Sequence, residues 1–422
     1  MELRPGEFGE DHWRRRGFGR RAAGWILGAA GLGAVWAGAA WVGADELVDP
    51  PLESQLNPGA SVGAAGESVV VWSDLRSGSR EIFGRRFDSA GQALGASFQV
   101  NTAVAGSQAY PRVALGDGGS FTVVWGSFSG NSDAGIRGRR FDDFGQPVGD
   151  EFQVHVGGPQ QQRDPSITRL SGGDFIVSWF IRDSAVLARR LGATGVPVGG
   201  EWVVDGSGDD LNPSVVSNAD NEVLVLWGRR GVGGVGAAGI GRLFNSSGTP
   251  LGSEIAFPTN NTNFVPTGAF SGERFLVTWV VGDSFGEVAA RLLDSSGTAI
   301  GADFIVPDSR VAEVAAASDG AFQLIWRAPD GAGNGIFTRR VSSTGALLGE
   351  IQQLNSKVLG DQLEPAIGGD GNGNLAMVWR GPAGSGGNKP LGIYGCFDLP
   401  DAEIFADGFE SGETSAWDAE VP

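Results

Sequence analysis

The sequence predicts an all-β fold, a seven-bladed β-propeller of four-stranded antiparallel blades, and three observations predict it. First, seven tryptophans close seven apolar runs: Trp72, Trp125, Trp179, Trp227, Trp279, Trp326 and Trp379. Their positions differ by 53, 54, 48, 52, 47 and 53 residues, a period that belongs to repeat architectures. Second, each period holds four short strand-like runs separated by turn signals. Third, the last period lacks its fourth run, and the start of the chain supplies a match for it.

The unit from Pro111 to Val154 shows the pattern. Pro111-Arg-Val-Ala-Leu starts a short strand, and Asp117-Gly-Gly turns the chain. Phe121-Thr-Val-Val-Trp125 is β-branched and aromatic, as a buried strand requires. After a variable loop, Ile136–Phe141 is a third strand, Asp143-Phe-Gly145 turns again, and Phe152-Gln-Val154 is the fourth. First strands recur at Pro58, Pro111, Pro165, Pro213, Pro266, near Ala312 and at Pro365. They are rich in Ala, Gly and Ser, which suits the crowded strand next to a central axis. Turn glycines after the third strand recur at Gly91, Gly145, Gly195, Gly248, Gly297 and Gly345, each six residues after an arginine (Arg85, Arg139, Arg189, Arg242, Arg291, Arg339). The seventh unit departs from this with Gly395-Cys396-Phe397-Asp398. Glu46-Leu47-Val48 stands before Ser54–Pro58 as Gln99-Val100-Asn101 stands before Ser107–Pro111. Residues 46–48 are therefore expected as the outer strand of the last blade, closing the ring and removing an open sheet edge.

The connectivity resembles that of WD40 rings, without their Gly-His and Trp-Asp marks, and the period resembles that of kelch repeats, whose Gly-Gly follows rather than precedes an apolar strand. The repeat pattern resembles the propeller-like repeats of exported bacterial proteins, over roughly residues 45–399. That resemblance implies a fold and no activity.

Both chain ends read as separate segments. Arg14, Arg15 and Arg16 precede a Gly-rich apolar stretch from Ala22 to Ala44, with small residues just before Asp45. This order is that of a signal peptide. Arg15-Arg16-Gly17-Phe18-Gly19-Arg20 resembles the twin-arginine export signal, with Arg20 in place of lysine. Residues 1–44 are expected as a cleaved export signal or as a membrane anchor. The protein is then periplasmic, cell-surface or secreted, and meets a membrane only through that segment if it is uncleaved. Residues 400–422 form an acidic tail in which Ile404–Trp417 resembles a short Gly-Phe-Glu-Ser-Gly tail of exported bacterial proteins.

Composition narrows the function classes. A net charge of -18 argues against wrapping a phosphate backbone, so no nucleic-acid partner is expected. Cys396 is the only cysteine, which excludes an intramolecular disulfide. Only His12 and His155 are histidines, so zinc sites and Ser-His-Asp triads lack raw material, and neither a cofactor nor a metal is expected. Asp370-Gly-Asn372-Gly-Asn374 has calcium-loop spacing without the closing Glu, at a place where other units have a hairpin turn.

In a four-stranded blade the second-to-third and fourth-to-first connections share one face. The long loops after each tryptophan lie there, and ligands usually meet such loops. Five of them carry an aspartate: Asp74, Asp133, Asp183, Asp283 and Asp330, the candidate ligand-binding residues. Arg76, Arg182, Arg229, Arg230 and Arg327 share the same loops. The tryptophans read as core and the repeated arginines as bridges between blades. The expected function is an exported, non-catalytic, monomeric binder of a protein or glycan through this face. The alternatives are a polysaccharide hydrolase or lyase with a carboxylate pair near the axis, and a structural envelope protein.

Overall fold

The computed structural model describes residues 42–49, 54–128, 135–157, 162–208, 210–229, 238–259, 266–282, 287–307, 309–356, 360–382 and 391–398. Seven four-stranded antiparallel sheets make up the described chain. One strand comes first, β1 (Val42–Leu47). Blade 1 is β2 (Gln55–Val62), β3 (Ser68–Asp74), β4 (Glu81–Phe87) and β5 (Phe98–Gln99); blade 2 is β6 (Ser107–Leu115), β7 (Phe121–Phe128), β8 (Gly135–Phe141) and β9 (Phe152–Gln153). Blade 3 is β10 (Gln162–Arg169), β11 (Phe175–Ile181), β12 (Ala185–Leu191) and β13 (Pro197–Asp205); blade 4 is β14 (Asp210–Ser217), β15 (Val223–Arg229), β16 (Ala238–Phe244) and β17 (Ile255–Pro258). Blade 5 is β18 (Thr267–Ser271), β19 (Arg274–Val281), β20 (Glu287–Asp294) and β21 (Ala299–Val306); blade 6 is β22 (Arg310–Ala316), β23 (Phe322–Pro329), β24 (Asn334–Val341) and β25 (Leu347–Gln353). Blade 7 is β26 (Leu363–Gly369), β27 (Leu375–Pro382) and β28 (Leu391–Asp398), with β1 as its fourth strand.

In the last blade Glu46 and Leu47 oppose Gly395 and Tyr394, and the Val48 N–H donates to the Ile393 carbonyl at 2.8 Å. The pairing starts earlier than residues 46–48: Val42 opposes Phe397 across an irregularity, so the strand reaches into the segment read as export signal. The rungs at Glu46, Leu47 and Val48 lie beyond a cut after Ala44.

The second strand of every blade is apolar on both faces because both faces are covered by neighbouring blades. The seven tryptophans that end these strands are at most 2% exposed. Each core is a layer between two blades. Val69, Val71 and Ile82 of blade 1 pack with Val113, Phe121, Trp125 and Phe141 of blade 2. Val70 and Trp72 pack on the other side with Val378, Ile393 and Phe397 of blade 7. At roughly 25 cal/mol per Å², one such ring burying about 200 Å² contributes about 5 kcal/mol.

The repeated arginines bridge blades. Arg85, Arg139, Arg189 and Arg291 donate to the carbonyls of Val48, Val100, Val154 and Ala256, each on the outer strand of the preceding blade or just after it, at 2.5–3.0 Å. Arg85, Arg139 and Arg242 also lie over Phe87, Phe141 and Phe244, 5.7–6.0 Å from the ring centres. His155 belongs to the same scaffold. Its Nδ1 accepts the Ile136 N–H at 3.1 Å, the bond that Asn101 and Asn355 accept from Ile82 and Ile336 in their blades. Burial holds the ring's pKa below the usual histidine range.

Candidate functional site

The inner strands carry a repeated irregularity that shapes the channel mouth. In five blades the residue before the recurring proline has a left-handed backbone: Asn57 (φ 52°), Tyr110 (57°), Asp164 (46°), Asn212 (46°) and Glu364 (51°). The pairing register with the second strand slips at each of these points, between Leu56 and Gly59, Ala109 and Arg112, Arg163 and Ser166, Leu211 and Ser214, and Leu363 and Ala366. Each slip is a β-bulge, a place where the following proline's missing N–H costs the ladder nothing. Asn and Asp tolerate this backbone; Tyr and Glu do so at a cost of about 1–2 kcal/mol.

The five bulged residues line a cavity of about 430 Å³ on the channel axis, together with Arg112 and Glu313. The bulges fall near the starts of the inner strands. Gln55 there opposes Asp74, where the second strand ends. The cavity therefore opens on the variable-loop face.

Charge at this mouth is unevenly balanced. Burial raises the pKa of Asp164 against the pull of Arg112 and Arg163, and it raises that of Glu313 against Arg112. Burial and then the Asp164 charge raise that of Tyr110. One oxygen of Asp164 and the side-chain oxygen of Asn57 are buried without a hydrogen-bond partner. Glu364 joins the first and last blades: it accepts the Asn57 N–H at 2.8 Å and pairs with Arg380 at 3.3 Å. Tyr110 stands edge-on to Phe128, with ring centres 6.2 Å apart, and Arg163 lies 5.2 Å over the same Phe128 ring. The arrangement offers acceptors, a phenol and guanidinium groups around one opening, the mixture that reads a polyhydroxylated ligand.

The aspartates expected from the sequence are scattered in role. Asp74 is 0% exposed. Its carboxylate accepts from the Trp72 indole at 3.2 Å, the Gln55 amide at 3.3 Å and Arg76 at 2.5 Å. Asp74 is thus enclosed in the blade interior, where its carboxylate satisfies the Trp72 indole and the Gln55 amide. Asp205, at the end of the outer strand of blade 3, does similar work for blade 4, accepting from Trp227 and Arg229. Asp183 is exposed in a turn with φ 56° and stands 3.8 Å from Arg182. Asp330 closes its own loop by accepting the Ala332 N–H at 2.9 Å. Asp133 and Asp283 lie outside the described residues. The Asp370 loop is a hairpin turn: one carboxylate oxygen accepts the N–H groups of Asn372, Gly373 and Asn374.

Sequence reasoning missed the axial ring because it read the recurring prolines only as strand starts. The available signal was the residue before each proline, which changes from Asn to Tyr, Asp, Asn and Glu while the proline stays constant. The opposite end of the channel holds a larger cavity of about 1110 Å³. Its charged lining is spent locally, with Asp88 accepting from its own turn and Asp117 paired with Arg169.

No family model and no curated protein matches the chain. Solved structures do match in fold. One is described as an ulvan lyase of a new polysaccharide lyase family, bound to -[GlcA(1-4)Rha3S]-, with a TM-score of 0.53 and 9% identity over 84% of this chain and 95% of that one. Another is a protein of unknown function from Dyadobacter fermentans, with a TM-score of 0.51 and 10% identity over 86% and 99%. At these identities the likeness is one of fold.

Proposed function

We propose that this propeller binds a glycan at the axial mouth of its variable-loop face. The observation that carries the reading is the ring of left-handed residues before proline. Glycine would fit the backbone at each of the five positions, yet each carries a polar or aromatic side chain, and two of these are poorly suited to the conformation. Strain kept at equivalent positions around an opening is a mark of a working site. The fold's occurrence in a polysaccharide lyase supports a carbohydrate ligand. Asp183 and Asp330 are proposed as outer contacts on the same face. Residues 1–44 are proposed to direct the protein out of the cytoplasm. Glycan-array binding of the mature protein tests the reading: the array should return a ligand whose binding falls at least tenfold in Tyr110→Asn and Asp164→Asn. A ligand that binds both variants like the unmodified protein overturns the axial site.

One observation favours a second reading, catalysis on that glycan. Asp164 and Glu313 both line the mouth, both have raised pKa values and both feel Arg112. Carboxyl groups kept protonated above their ordinary range can act as general acids. Incubation with the bound glycan distinguishes the readings: new chain ends that appear with the unmodified protein and not with Glu313→Gln establish turnover.

A further inference from the structure

We infer that the mouth selects anionic glycans, those bearing carboxylate or sulfate groups, through an arc of arginines centred on Arg327; this rests on the proposal of a glycan site. The protein as a whole is strongly acidic, at -18. The mouth is different. Arg112 lines it directly, Arg163 adjoins Asp164, and Arg380 is paired with the lining residue Glu364. Arg310 and Arg327 face each other across the first two strands of blade 6. Five arginines thus accompany four carboxyl groups, Asp164, Glu313, Asp361 and Glu364. A patch of reversed sign in an acidic protein concentrates anions where the rest of the surface repels them.

The arc is not explained by the scaffold. Like charges directly opposite each other on neighbouring strands are destabilising. Arg327 is half-buried and has no hydrogen bond or ion pair among the described residues. Burial, Arg310 and Arg380 lower its pKa against Asp361 and Glu364, so its charge is held in an unfavourable setting. Arg163 likewise has no ion pair among the described residues, and its Nε is buried without a partner, as is that of Arg380. The scaffold arginines Arg139 and Arg189 also have an unpartnered Nε, but Arg85, Arg139 and Arg189 each spend another guanidinium N–H on a carbonyl of the preceding blade, which Arg327 does not. A carboxylate or sulfate would supply Arg327 and Arg163 with the planar or tetrahedral acceptor oxygens that no described residue gives them.

The test uses dextran, dextran sulfate and polygalacturonate as probes at constant ionic strength, with thermal stabilisation by inorganic sulfate as a separate readout. Arg327→Gln is compared with Arg327→Lys, which keeps the charge, and with Arg340→Gln, which makes the same charge change beside the Ser318 turn on the opposite face of the same blade. The expected result is that an anionic polymer binds about tenfold or more tightly than dextran, and that Arg327→Gln loses most of that preference. Arg340→Gln should keep it, and Arg327→Lys should keep part. Equal binding of dextran and the charged polymers, or equal losses in Arg327→Gln and Arg340→Gln, overturns the inference while leaving the glycan site standing. If no polymer binds but sulfate raises the melting temperature only when Arg327 is present, the anion site stands and the glycan reading falls. If neither polymer nor sulfate acts, both fall.

Discussion

Replacing Asp74 by alanine separates a loop ligand from a scaffold residue. The substitution removes the acceptor for two donors that have no access to water, the Trp72 indole N–H and the Gln55 amide. Each orphaned buried donor costs about 1–3 kcal/mol. Arg76 keeps Asp49 at 2.7 Å and is partly exposed, so its loss adds little. The total is about 2–6 kcal/mol. With an unfolding entropy of about 2.1 cal/mol/K per residue over roughly 350 residues, a ring melting as one unit loses about 3–8 °C. Acid should act in the same direction. Burial raises the Asp74 pKa, but the hydrogen bonds from Arg76 and Trp72 outweigh it and hold the carboxyl below the usual range. A lowered folded pKa contributes stability above the unfolded pKa that is lost as pH falls through the folded one. The difference between Asp74→Ala and the unmodified protein should therefore narrow below about pH 4. Differential scanning calorimetry across pH measures both effects. A variant that melts within 1 °C of the unmodified protein and has lost its ligand would refute the reasoning and return Asp74 to the binding face.

Three further outcomes are expected. Tyr110→Asn relieves about 1 kcal/mol of left-handed strain and gives up about 0.5–1.5 kcal/mol of contact with Phe128, so calorimetry should find the melt within about 2 °C while glycan affinity falls at least tenfold. Glu313 has a raised folded pKa, so it contributes stability below the ordinary glutamate range that is lost as pH rises through the folded value; Glu313→Gln should out-melt the unmodified protein at pH 8 and lose that advantage near pH 4 in parallel scans. Deleting residues 42–49 removes the buried Val48 side chain, worth about 1.5–3 kcal/mol, and the β1 ladder, and should lower the melting temperature by 5 °C or more.

The scaffold was legible because its signals repeat. The tryptophans mark strands buried on both faces, and Gly91, Gly145, Gly195, Gly248, Gly297 and Gly345 all take positive φ in the turns where their spacing put them. The arginine before each turn is equally periodic, and its bridging role follows from recurrence. The mouth was not legible, because its chemistry depends on a backbone conformation. Tyr110 and Glu364 look like ordinary strand residues until the bulge turns them toward the axis. The enclosure of Asp74 was hidden for the opposite reason: an aspartate at the end of a buried strand resembles a loop residue, and only the path of Gln55 beside it shows that the carboxylate is enclosed.

The seam between β1 and β28 joins the first and the last strand of the ring. During synthesis β1 is made before all six complete sheets and its partner after them, so six sheets can assemble while the seventh waits incomplete. Until then the apolar faces of Val70 and Trp72 have no blade 7 to cover them. Such a topology makes late association the slow and vulnerable step, with stalled or truncated chains left open to pairing with other molecules.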